Sequence, residues 1–347
     1  MFVKNRRKLK LLIAGAIITH ICFMAFLWAR QLNNINVDSQ YKFEELVKDE
    51  VVNLKDTTQD YNNLMFGVRG FFVADEYVSR EEWDLYVQSY NLKDDFPGFV
   101  AIGYSPYVKP SNKNEFTQQI NSEYKEYPNI ISKLDTLNIG NESQDYLGLK
   151  FITPFDPKTE FVGFNSEDIV DRQATISEAI SSGITVSSPP LDLLIDTNES
   201  TDYIVYLPVY YTYKNVGTTS DRWANIRGVV SLAFNMDSLM TSLLEKHKDE
   251  NRMNLVIYDV TNSSDKVLVL NREKITPTKL LSYTSNFNFG GRKWELNFSA
   301  DDSTNTNQVI IRNTNVFFAT ITILGIVVLV FTYLVLNKRA IEMQYGL

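Results

Sequence analysis

Residues 47–72 read VKDEVVNLKDTTQDYNNLMFGVRGFF, and the spacing of their apolar members decides how the chain is built. Val47, Val51, Leu54, Thr58, Tyr61, Met65, Val68 and Phe72 recur at alternating steps of four and three, which places them on one stripe of an α-helix. The same spacing is the a/d seam of a coiled coil. The stripe therefore has two readings, a dimer stalk or a surface packed on the chain's own domain, and the sequence leaves both open. No proline precedes Pro97, and after Arg30 no glycine precedes Gly67, so one polar helix is expected to run from about residue 30 to about residue 75. Ser79 and Glu82 have the spacing of a capping box, and Val78 can staple to Trp83. A second helix is expected from Arg80 to about Tyr90, with a break between Asp75 and Ser79.

Working toward the N-terminus, the stripe leads back to residues 11–29, LLIAGAIITHICFMAFLWA, which carry no formal charge. At about 1.5 Å per residue they extend roughly 28 Å, the thickness of a bilayer core. Residues 316–336, VFFATITILGIVVLVFTYLVL, form a second such run. A cleaved signal peptide is the rival reading of the first run, opposed by its length and by the absence of an A-x-A-like site. A buried core helix is the rival reading of the second, opposed by its length. Lys4, Arg6, Arg7, Lys8 and Lys10 precede the first run, and Lys338 and Arg339 follow the second. The positive-inside rule then puts both termini in the cytoplasm and residues from about 30 to 315 outside. The expected location is the inner or plasma membrane, with two passes.

Working toward the C-terminus, the texture changes after Pro97-Gly98 to short apolar runs separated by polar turns. FVAIGY, LKFITPF, TDYIVYLPVYY and RGVVSLAF read as strands, with a helix between them that Ser166 can cap and Gly183 can stop. A second block begins where Asp237 can cap SLMTSLLEKHK, and continues through NLVIYDV, KVLVL, SYTSNFNF and KWELNFSA. Its last two strands are joined at Gly290-Gly291 as a hairpin. The fold class is α+β. The expected order is a basic tail (1–10), a first span (11–29), stalk helices (30–92), a membrane-distal domain (93–236), a membrane-proximal domain (237–314), a second span (316–336) and a cytoplasmic tail (337–347).

Composition excludes several functions. The net charge is −8, and because the ends are basic, the middle is strongly acidic and unsuited to nucleic acid. The single cysteine, Cys22, lies in the first apolar run, so an intrachain disulfide and a thiolate metal site are both impossible. His20 and His247 are read as packing or solvated residues rather than ligands. No G-x-S-x-G, Walker loop or HExxH occurs, and the acidic pairs Glu81-Glu82, Asp94-Asp95 and Asp301-Asp302 sit at helix starts or turns. No catalytic residue, metal or cofactor is therefore assigned, and the chain is not expected to be an enzyme.

Several segments taken in order resemble the CHASE family, the extracellular sensory domain of receptor histidine kinases and cyclases that includes plant cytokinin receptors. They are GVRGFFVADEYVSREEWDLY, FPGFVAIGYSPYV, GFNSEDIVDRQATISEAISSG, VSSPP, YLPVYY, RGVVSLAFNMDSL and NLVIYDVTNSSDKVLVL, spanning about Gly67 to Ala300. The resemblance implies a long helix leading into two tandem PAS-like domains, a homodimer through stalk and transmembrane helices, and a small-molecule pocket in the distal domain. A PAS-type pocket would lie among Phe164, Asn165, Ser187, Ser188, Val205, Tyr206 and Ser231. The bland reading of the same residues is strand core and turn serines. Asn165 stands where the family usually has Asp, and Tyr206 where the cytokinin pocket has Thr, which argues against cytokinin itself. The implied function is a transmembrane input module that hands a small-ligand signal to a histidine kinase or cyclase, either on a separate protein or in a continuation of this chain. The alternatives are a membrane-anchored protein-docking module and an ecto-hydrolase using surface carboxylates.

Overall fold

The computed structural model describes residues 2–128, 130, 145–156, 162–165, 170–191, 202–245, 253–262, 266–273, 280–301 and 305–345. The chain divides into two compact units. One comprises residues 1–46, 275–283 and 299–347, and the other residues 47–274 and 284–298.

The larger unit is built on two antiparallel sheets. Helix α1 (Phe2–Ala74) is followed by α2 (Arg80–Gln88) and the single turn α3 (Leu92–Asp95). Then come β1 (Phe99–Val108), α4 (Lys113–Glu123), β2 (Tyr146–Leu147), β3 (Phe151–Thr153) and α5 (Val170–Ser182). They are followed by β4 (Val186–Ser187), β5 (Asp202–Tyr210), α6 (Thr219–Ala224) and β6 (Ile226–Asn235). The first sheet runs β2-β1-β6-β5-β4, with β3 also paired to β1. Its centre is fixed by the register Gly103↔Ser231↔Tyr206 across β1, β6 and β5.

Because successive strand residues face opposite sides, this sheet has two different surfaces. One carries Ile204, Tyr206, Val229, Ala233 and Ala101, covered by Ile176, Ala179 and Ile180 of α5. The other meets α1 and α2. Phe72 stacks on Tyr104 with centroids 3.6 Å apart, Tyr61 lies 5.7 Å from Phe234, and Trp83 lies 5.5 Å from Phe151 and donates to Thr153 Oγ1 at 3.0 Å. All eight stripe residues from Val47 to Phe72 are buried within the single chain. The stripe is packed on the chain's own domain, and at Tyr61 and Phe72 its partner is the first sheet. The opposite side of the helix, at Val52, is exposed.

Helix α1 ends where the capping box predicts. Ser79 N–H donates to Glu82 at 2.9 Å and Glu82 N–H to Ser79 Oγ at 3.3 Å, starting α2 at Arg80. The Ser79 N–H and the Ser79 hydroxyl, which donates to the same Glu82 carboxylate oxygen at 2.7 Å, hold the exposed Glu82 carboxyl below its usual range. Helix α5 stops at Gly183, whose φ of +78° suits a residue without Cβ. Ser166, its expected cap, lies outside the described residues.

Helix α7 (Met236–Glu245) leads to β7 (Met253–Asp259), β8 (Val267–Arg272), β9 (Leu280–Phe289) and β10 (Arg292–Asp301), ordered β8-β7-β10-β9. The sequence assigns the cap of α7 to Asp237, but it belongs to Asn235. Its Oδ1 accepts from Ser238 N–H at 2.8 Å while its Nδ2 donates to the buried Asp202 at 2.7 Å. Asp237 sits inside the first turn, where its charge suits the helix dipole. The β9–β10 turn has Gly290 at φ +55° and Gly291 at φ +78°, the conformation a two-residue hairpin requires. Buried Asp259 receives Arg292 at 2.5–2.6 Å, and Trp294 stacks on Phe287.

In the smaller unit, helix α8 (Asn305–Tyr345) and the first part of α1 are each long and apolar enough, by length and composition, to cross a membrane. Trp28 Nε1 donates to Asn315 Oδ1 at 2.8 Å between them, and Gly325 leaves the room that the ring of His20 fills.

Phe72→Ala removes a ring buried against Tyr104 and Phe151 and should lower unfolding free energy by about 3–5 kcal/mol. Val52→Ala on the exposed side should stay within about 0.5 kcal/mol. Denaturant unfolding of the full chain in detergent reads both, and an intramolecular seam makes the Phe72 loss independent of protein concentration.

Candidate functional site

The α5 face of the first sheet gathers four of the seven candidate residues. Tyr206 on β5 pairs with Ser231 on β6, and Ser231 pairs with Gly103 on β1, where a Cβ would come within 2.9 Å of Phe151 O and 3.3 Å of Ser231 Oγ. Phe164 and Asn165 reach this face from a turn that follows Gly163 (φ +84°). The turn is fastened by Leu149 N–H to Phe164 O at 2.9 Å and Gly163 N–H to Leu149 O at 2.8 Å. Asn165 Oδ1 accepts from Leu147 N–H at 3.3 Å, and Leu147 belongs to the same buried cluster as Tyr206. An Asn suits this place because its amide can take up a backbone donor without burying a charge.

Arg172 connects the turn to the strand. It lies four residues before Ile176 and seven before Ala179 on α5, the inward stripe of that helix. Its guanidinium carbon is 6.0 Å from the Phe164 ring centre. Burial pushes the Tyr206 phenol up, and the nearby positive charge of Arg172 pulls it partly back. Arg172 and Gly103 are site residues the sequence reading missed. The available signal for the first was a cation interrupting the apolar i, i+4, i+7 pattern of α5.

The other three candidates serve the sheet. Val205 alternates onto the opposite face, with Leu232 as its cross-strand neighbour, and is wholly buried there. Ser187 shares that face, and its N–H donates to Gly290 O at 2.7 Å, tying β4 to the β9–β10 turn. Ser188 is fully buried, its hydroxyl donating to Pro189 O at 2.7 Å and accepting from Ile204 N–H at 3.0 Å. Residues 166–169 and 192–200, which flank the site in sequence, lie outside the described residues.

On the opposite face, a cleft of about 210 Å³ lies at the C-terminal end of α1, lined by Tyr77, Tyr104, Glu115, Lys150, Tyr211 and Arg227 among others. Its two cations are occupied structurally. Lys150 pairs with Glu123 at 2.9 Å and donates to Val78 O at 3.2 Å. Arg227 donates to the carbonyl of Phe72, in the last turn of the long helix, and to those of Asp75 (2.8 Å) and Glu76 (2.7 Å), just past its end.

Since Ser188 satisfies two buried backbone groups, Ser188→Ala should cost about 1–3 kcal/mol of stability, measurable by denaturant unfolding. A ligand-contact serine would instead leave stability unchanged.

The family model described as CHASE domain matches residues 76–270, more than half of the 347 residues. Hybrid signal transduction histidine kinase A of Dictyostelium discoideum is 24% identical over 230 residues, which cover 58% of this chain and 11% of that protein. The chain thus spans about a tenth of the length of the relative it matches. With the family model covering more than half of its length, the chain belongs to the CHASE domain family.

Proposed function

We propose that this chain is the sensory input module of a transmembrane receptor. The observation that carries the reading is the CHASE domain over residues 76–270, set between two helices whose apolar stretches have membrane-spanning length. Exposed Leu11, Phe23, Val327 and Phe331 give those stretches an apolar surface that water would not tolerate in such quantity and lipid would accept. The basic flanks orient both termini to the cytoplasm and the acidic domain to the periplasm or cell exterior. The exterior then folds as two PAS-like blocks, a distal one holding the α5-face site and a proximal one ending at the second span.

In this reading a small molecule binds among Phe164, Asn165, Tyr206 and Ser231, and shifts the population of two arrangements of the sheet and α1. A homodimer conveys the difference across the bilayer to a kinase or cyclase output domain outside residues 1–347, and the chain itself catalyses nothing. The kinase named among the similar proteins supports a signalling context.

Two measurements test this. A fluorescent-protein fusion after Leu347 should glow and an alkaline phosphatase inserted after Asn262 should be active; the inverse pattern removes the topology. Thermal unfolding of the full chain in detergent against purine, amino-acid and peptide libraries should find a compound raising Tm by roughly 5–10 °C at saturation. Tyr206→Ala should abolish that shift. A library without any stabilising compound would contradict the sensor reading.

A further inference from the structure

The described cations packed into this fold nearly all meet an opposite charge or a carbonyl. Lys150 lies 2.9 Å from Glu123, Arg292 lies 2.5 Å from the buried Asp259, and Arg227 closes on helix-end carbonyls. Arg272, with one buried nitrogen unpaired, still faces Asp237 at 4.0 Å. Arg172 is different. Its Nε is buried without a hydrogen-bond partner among the described residues, and its one described ring contact is with Phe164 at 6.0 Å. A guanidinium donor withdrawn from water and left unsatisfied is unfavourable unless something else occupies it. It lies on the inward stripe of α5, between the Phe164 turn and Tyr206.

We propose that the α5-face site takes a small carboxylate-bearing molecule, with Arg172 as its charge partner and Phe164 and Tyr206 as its apolar walls. This rests on the reading of the chain as a ligand-binding sensor. Arg172 presents the planar, parallel N–H groups that match a carboxylate, and the Phe164 ring lies 6.0 Å from its guanidinium carbon. The other polar members, Asn165 and Ser231, are neutral, so the described site side chains carry one positive charge and no negative one. One guanidinium balances a monoanion. It falls short of a phosphate dianion, and it repels an ammonium.

The test is thermal unfolding and calorimetric titration of the full chain in detergent with matched pairs, each an aromatic or aliphatic monocarboxylic acid against its primary amide, plus the corresponding phosphate monoesters. At least one acid should raise Tm while its amide and phosphate do not. Arg172→Met should weaken that acid at least about tenfold, Arg172→Lys should restore part of the loss, and neither should lower Tm without ligand. If the guanidinium were instead a structural ion-pair member, for instance with Asp168 four residues earlier in sequence, Arg172→Met would lower Tm in the absence of any acid, and the proposal falls. Acids and amides stabilising equally, or a phosphate ester outranking its acid, would also overturn it. If neutral or cationic compounds from the wider libraries stabilise while every acid is inert, the carboxylate assignment is wrong and the sensor reading stands. If no compound of any class stabilises, both fail.

Discussion

The fold depends on one constraint, the burial of the α1 stripe, which meets the first sheet at Tyr61 and Phe72. Eight residues from Val47 to Phe72 are removed from water, and three aromatic contacts, at Tyr61 and Phe72 of α1 and Trp83 of α2, lock the helices to β6, β1 and β3. At about 1.5–3 kcal/mol for each large apolar side chain buried, this seam is comparable to the whole net stability of a typical domain. The sheet cannot keep its core if the helix leaves, because Tyr104 and Phe234 would lose the Phe72 and Tyr61 rings packed on them. A polar helix of this length, which sequence periodicity alone would allow to stand free, is in effect a strand-covering element of the domain. The Arg227 guanidinium reinforces the arrangement by taking the Phe72 carbonyl in the last turn of the helix and those of Asp75 and Glu76 just beyond it.

The two sides of the sheet have been given different work. On the α1 side, polar groups are consumed in holding the structure, as Lys150 with Glu123, Tyr61 with Pro97 and Trp294 with Tyr203 illustrate. On the α5 side, a helix of modest size covers a row of small residues, Gly103 and Ser231 beside Tyr206, and an arginine faces inward with its Nε unpaired among the described residues. Ligand recognition on the second side would leave the load of the first untouched. Strand β4 is where the two meet, because Val186 joins the α5-side cluster while the adjacent Ser187 N–H holds the β9–β10 turn at Gly290. A change at the α5 face therefore has a short route to the second sheet through one pair of neighbouring residues.

Much of this was legible in the amino-acid order. Ser79 and Glu82 announce the start of α2, Gly290-Gly291 announce a hairpin, and the β-branched and aromatic runs announce β1, β5, β6, β7 and β10, because each signal is local. Four features were not. Helix α4 offers only Phe116 and Ile120 as an apolar pair, too short a period to stand out, and β2 is two residues long. The cap of α7 fell to Asn235 rather than Asp237 because the last strand residue, pinned by Asp202, was already placed to accept the N–H. The candidate site divided because a strand alternates: Tyr206 implies its α5-side neighbours Ile204 and Pro208, and excludes Val205. The stripe on α1 carried a true ambiguity, since a seam for a second helix and a seam for a sheet share one spacing. Only the burial of all eight residues inside one chain separates them.

Hydrogen exchange of the full chain in detergent, resolved by peptide, tests that central contact most directly. The amides of residues 47–72 should exchange as slowly as those of β5 and β6, since opening the helix exposes the core of the sheet it covers. If residues 47–72 exchanged orders of magnitude faster while the sheet remained protected, the helix would be an independent stalk, and its burial could not be what holds the domain together.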